Sequence, residues 1–125
     1  MSDNEDLIRL PARDVVQLLE IGEVSALELI DAALTRIEKV EPQVNALPTL
    51  CPERARKQAK NLPRRPDNAH GWLGGLPVAI KDLMDVEGVR TTYASPIYTD
   101  HVPTASHPMV ERLEANGGVV LAKSN

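Results

Sequence analysis

Two short apolar runs, residues 76–80 and 119–122, constrain what this 125-residue chain can fold into more than any other feature. Each has the length of a buried strand, and neither approaches the roughly 20 residues of a membrane helix. Between them, Ser106-His107-Pro108 leads into a helical pattern carrying Val110 and Leu113, which closes at Asn116-Gly117-Gly118. Proline suits a first helical turn and Asn-Gly suits the exit. A strand, a connection containing a helix, and a second strand over residues 119–123 follow the grammar of parallel pairing with a right-handed crossover. The predicted class is α/β: N-terminal helices followed by the first βαβ strands of a mixed sheet with covering helices.

The first half keeps a helical period instead. From Ala12, the positions Val15, Leu18, Leu19 and Ile21 recur at helical spacing, with Pro11 allowed in the first turn and Gly22 placed to stop the helix. Ser25-Ala26-Leu27-Glu28 reads as a capping box. It opens a second helix whose stripe of Leu27, Ile30, Leu34 and Ile37 runs as far as Val40, with Pro42 marking its end. Residues 44–50 have strand character, but Pro48 removes a ladder donor, leaving an edge strand or extended chain. A more polar third helix is expected over 52–61. Pro63, Pro66, Gly71, Gly74 and Gly75 make 62–75 a loop and the one plausible internal boundary. The expected organisation is thus a helical segment 1–62, a loop 63–75 and the start of a sheet core 76–125. Because the sequence stops at Asn125, where the next loop and helix of an α/β fold would begin, residues 1–125 read as the N-terminal part of a single, incomplete domain.

Composition removes several classes of function. Lys plus Arg is 14 against 18 Asp plus Glu, a formal charge of −4, so the chain lacks the basic excess of a phosphate-backbone binder and nucleic acid is not an expected direct partner. Trp72, Tyr93 and Tyr98 are the only aromatics, which leaves an aliphatic core. Asp3, Glu5 and Asp6 give the wrong charge for a secretory leader, and no membrane span is expected. The single Cys51 closes no intramolecular disulfide, and a reducing cytoplasm fits best.

Lys81 stands out chemically because it directly follows the strand run 76–80, and α/β folds bind ligands at the carboxyl ends of their strands. To act as a base it must fall from about 10.4 to near neutrality, about 4 kcal/mol supplied by desolvation or a nearby cation. The plainer reading, on residue types alone, is a solvated strand end paired loosely with Asp82. Gly117 to Ser124 nearly matches a phosphate-binding loop, but Ala122 replaces its second glycine. Ser95, Asp100 and His101 hold the residue types of a hydrolytic triad within seven residues and read better as a turn between Pro96 and Pro103. His70, His101 and His107 lack ligand spacing, so no metal site and no cofactor are expected. Trp72 reads as a loop anchor, and Arg54, Arg56, Lys57 and Lys60 as the solvated face of a helix.

Taken together, Gly75-Leu76-Pro77-Val78-Ala79-Ile80-Lys81-Asp82, Gly88-Val89-Arg90-Thr91-Thr92-Tyr93-Ala94-Ser95, Val110-Glu111-Arg112-Leu113 and Gly118-Val119-Val120-Leu121-Ala122-Lys123-Ser124-Asn125 resemble the amino-terminal third of an amidase-signature enzyme. The turn from Gly22 to Glu28 and the Asn45-Ala46 pair are similar too. The resemblance implies cleavage of carboxamide C–N bonds by a Ser-cisSer-Lys triad in which Lys81 is the lysine. The family's two serines and its Gly/Ser-rich signature lie further along its chains. Ser2, Ser25, Ser95, Ser106 and Ser124 do not occupy that motif, so by resemblance this is an amidase chain that holds only the lysine and is inactive alone. The implied partner is a small-molecule amide in the complete enzyme. The alternative is a non-catalytic module, self-associating or docking on a complementary chain through an unfinished sheet edge. Two departures from the family pattern are Ala94, where glycine is frequent, and Pro48. Ala94 would lower stability if its backbone needs a positive φ.

Overall fold

A computed structural model describes residues 4–125. A short helix α1 (Asn4–Leu7) is followed by α2 (Ala12–Glu20), which starts directly after Pro11, and Gly22 at φ +74° turns the chain toward α3 (Ala26–Val44). The capping box forms as read. Ser25 Oγ accepts the Glu28 N–H at 3.2 Å and the Glu28 carboxylate accepts the Ser25 N–H at 2.8 Å. The Ser25 N–H and, after it, the Ser25 hydroxyl, which also donates to the Glu28 carboxylate at 2.8 Å, hold that carboxyl below its ordinary range.

α3 departs from expectation at its end. Pro42 lies inside the helix, which continues to Val44 and closes at Asn45 in the left-handed region, φ 51°, with the Asn45 N–H on the Glu41 carbonyl at 2.8 Å. Proline there forfeits only its own bond to the exposed Glu38 turn, less than a full turn from the exit, so the helix tolerates it. The buried face is also rotated. Ala26, Leu29, Ile30 and Ala32 are buried, whereas Leu27, Leu34 and Ile37 are half-buried. Two neighbours explain this: Leu7, Val15 and Val24 pack on Leu29, while Ala55, Val119 and Leu121 pack on Ile30.

The remaining elements are β1 (Thr49–Leu50), α4 (Pro52–Lys60), β2 (Pro77–Lys81), a 3-10 turn at Pro96–Tyr98, α5 (Pro108–Ala115) and β3 (Val119–Ser124). The sheet order is β1-β3-β2, with β3 antiparallel to β1 and parallel to β2, the mixed α/β arrangement expected. Pro48 immediately precedes β1, which is two residues long and at the edge. At the exit of α5, a Cβ on Gly118 would lie 2.4 Å from Leu113 Cδ2 and 3.0 Å from the Leu113 carbonyl oxygen, so a larger residue there would push Leu113 out of its place.

The β2–β3 register carries one irregularity that positions the site. Val78 pairs with Val120 and the next residue, Ala79, pairs with Ala122, so β3 holds one extra residue, Leu121. Side chains alternate between faces along a strand, and an extra residue resets that alternation. Val119 and Leu121 pack with Ile30 and Ala55 on the helix side. Val120 and, past the bulge, Lys123 face the other side, where Ile80, Val86, Val89 and Val110 gather under the long connection after β2.

Candidate active site

The parallel strands end together, with Lys81 in register with Ser124, so both project from one face of the sheet. Lys81 and Ala79 are exposed, whereas Ile80 and Asp82, on either side of Lys81, are buried at 3% and 5%. The sequence neighbours of Lys81 turn away from it for one reason, and the expected pairing with Asp82 fails with them. Alternation turns Val78 and Ile80 to the opposite face from Lys81, so the apolar flanks do not surround its amine. Asp82 likewise does not pair with it, and among the described residues Lys81 makes no ion pair.

The buried lysine is instead Lys123, with no exposed surface at all. Its Nζ donates to the Met84 carbonyl and to Thr91 Oγ1, the latter at 3.1 Å, and lies 3.6 Å from the Asp82 carboxylate. That carboxylate accepts the Thr92 N–H at 3.2 Å and the Thr92 hydroxyl. Burial pushes the Lys123 ammonium below the ordinary lysine value, opposed by the negative charge of Asp82. Asp82, Thr91, Thr92 and Lys123 form a closed polar knot immediately behind Lys81. Reading single positions misses it. The available signal was a lysine continuing an otherwise apolar strand, together with the Lys-Asp and Thr-Thr pairs at the ends of neighbouring segments.

Beside the knot, the Tyr93 N–H donates to the Asp82 carbonyl at 2.9 Å, and the Tyr93 hydroxyl donates to the Asp85 carboxylate and lies 3.2 Å from His101 Nε2. The bond to Asp85 and burial push the Tyr93 phenol up to about 12. Tyr93 and Ala94 both have positive φ, 52° and 57°, which realises the condition under which Ala94 is unfavourable.

The other sequence candidates fall elsewhere. Ser95 Oγ accepts the Ile97 N–H at the 3-10 turn, and His101 contacts Tyr93, so Ser95, Asp100 and His101 form no triad. Among the described residues no three His, Cys, Asp or Glu side chains gather as a metal ligand set. Trp72 packs over Gly117 in the loop, as an anchor would. The basic run of α4 is not wholly a solvated face: Arg54 makes a half-buried 2.6 Å ion pair with Glu114 of α5, because α4 lies against the connection that carries α5. The Cys51 thiol donates to the Val120 carbonyl at 3.4 Å, and burial raises its pKa. No helix among the described residues is long and apolar enough to cross a membrane.

This arrangement is the fold of amide-cleaving amidase-signature enzymes. A solved 6-aminohexanoate cyclic dimer hydrolase superposes with a TM-score of 0.80 at 26% identity, over 93% of this chain and 23% of that one. The sequence model described as Amidase matches residues 28–125, and the chain belongs to the amidase family. Relatives include the glutamyl-tRNA(Gln) amidotransferase subunits A of a Roseiflexus species, 42% identical over 95% of this chain, and of Dehalococcoides mccartyi, 39% identical over 96%. The chain spans about a quarter (25%) of the length of these curated relatives, against the third expected from motifs alone.

Proposed function

We propose that this chain supplies the lysine of an amidase-type hydrolase acting on carboxamide C–N bonds by a Ser-cisSer-Lys mechanism, with Lys81 the catalytic lysine and both serines on polypeptide other than these 125 residues. Residues 1–125 are then the N-terminal part of one amidase-signature domain, with a helical segment 1–62, a loop 63–75 and the sheet start 76–125. The observation that carries this reading is Lys81 at the C-terminal end of β2, exposed beside Ser124, within the stretch that matches the amidase family. Once the remaining polypeptide covers that end of the strand and desolvates its amine, a neutral Lys81 takes the proton of the bridging serine as that serine takes one from the nucleophile. The nucleophile's Oγ bonds to the amide carbon, the C–N bond breaks, and the proton passes to the departing amine. Water or another amine then releases the acyl group. The substrate is a small carboxamide: a simple aliphatic amide, an aryl amide or the glutamine of a tRNA-linked amidotransferase. The reaction belongs in a reducing cytoplasm, consistent with an unpaired Cys51.

Joining this chain to the remaining three quarters of the Dehalococcoides mccartyi subunit tests the reading. The fusion is expected to hydrolyse glutamine, Lys81→Ala to lower turnover by roughly 10³-fold, and the chain alone to show none. A fusion indifferent to Lys81→Ala, or hydrolysis by the chain alone that Lys81→Ala removes, defeats it. The outer edge of β2, unpaired among the described residues, favours a second reading as a docking module. Complex formation with the separately produced remainder, without turnover, would select that reading.

A further inference from the structure

We infer that Lys123 and Asp82 are positioning residues for Lys81, fixing the peptide at which it leaves β2. A fully buried ammonium is expensive, and an apolar pair of similar volume is often as stable or more so. Stability therefore gives no reason for lysine and aspartate here, whereas geometry does. One ammonium ties three segments: the end of β3 that carries it, the turn after β2 through the Met84 carbonyl and Asp82, and the following loop through Thr91. The turn is tied again by the Asp82 N–H on the Ser124 carbonyl at 2.8 Å, the Met84 N–H on the Lys81 carbonyl at 3.0 Å, and the Thr92 N–H on Asp82. Lys81 is thus an exposed side chain on a backbone held from both sides, by the core at Ile80 and by the knot at Asp82. Knobs of apolar volume at 82 and 123 could fill the same space, but they could not hold the 84 carbonyl or the 92 amide.

The inference rests on the amidase reading only for the purpose of a fixed Lys81. Its test uses no turnover, so the two fail separately. In the full chain, with lysines labelled at 13Cε and Lys81 assigned through Lys81→Arg, wild type is compared with Asp82→Leu/Lys123→Met. The double variant is expected to melt at or above the wild-type temperature. Its Met84 and Tyr93 amides should nevertheless exchange at least tenfold faster, and the Lys81 Cε resonance should shift and broaden. Unchanged exchange and an unchanged Lys81 resonance overturn the inference, whatever the melting temperature. If the double variant does not fold, Asp82→Asn, which keeps an acceptor for Thr92 while removing the charge, decides by the same two readouts and the same criteria.

Discussion

Two lysines at the ends of adjacent parallel strands have opposite environments. Lys81 is exposed on one face and Lys123 is wholly buried on the other, although their strands run side by side and Lys123 pairs with Ile80, the residue before Lys81. The difference shows that residue type and strand end do not fix a lysine's chemistry; the face does. Lys123 is held by a carbonyl, a hydroxyl and a carboxylate and is spent on structure. Lys81 is left with an exposed amine on the face opposite the knot.

Single substitutions sharpen this contrast most strongly at the buried site. Lys123→Met leaves Asp82 buried without its cation and is expected to lower stability by about 3–5 kcal/mol in a denaturant titration; a loss below about 1 kcal/mol would erase the distinction between the lysines. Ala94→Gly, in the loop that closes over the knot, relieves a left-handed alanine and is expected to raise stability by about 1 kcal/mol. A neutral or destabilising result would mean that the surrounding bonds prefer the methyl group. Stability should also depend on pH. Because the Lys123 value is lowered in the fold, the unfolded chain binds more protons between the folded value and the ordinary 10.5, so stability should rise as pH climbs through that window. The raised Tyr93 phenol acts oppositely, with stability lost from its ordinary 10.0 toward about 12. The raised Cys51 thiol opposes it too, from its ordinary 9.0 upward. Below pH 10.5, stability should therefore rise more steeply, or fall less steeply, with pH in wild type than in the Asp82→Leu/Lys123→Met pair, which keeps Cys51 and Tyr93; equal slopes would assign the titration elsewhere. The smallest effect belongs to Lys81→Met, expected within about 0.5 kcal/mol of wild type, as for an exposed side chain.

Much of this was legible beforehand. The capping box at Ser25 and Glu28, the parallel pairing of two apolar runs and the Asn-Gly-Gly exit of α5 are local signals, fixed by spacing and backbone chemistry within a few residues. Lys81 at a strand end was equally local, and its family resemblance agreed. What was not legible depends on distant contacts. The rotated buried face of α3 is set by the elements packed on it. The pairing of Asp82 with Lys123 rather than Lys81 joins positions 41 residues apart across a register shift. Arg54 looked solvated because its partner Glu114 lies 60 positions away.

The extra residue Leu121 is what turns the second lysine inward. Three plain strand steps separate Val120 from Lys123 and would leave them on opposite faces, so the bulge, not simple alternation, brings the ammonium in beside Ile80. A strand one residue shorter here would reach the same arrangement by plain alternation, so a loss of length at this point removes the bulge and spares the knot.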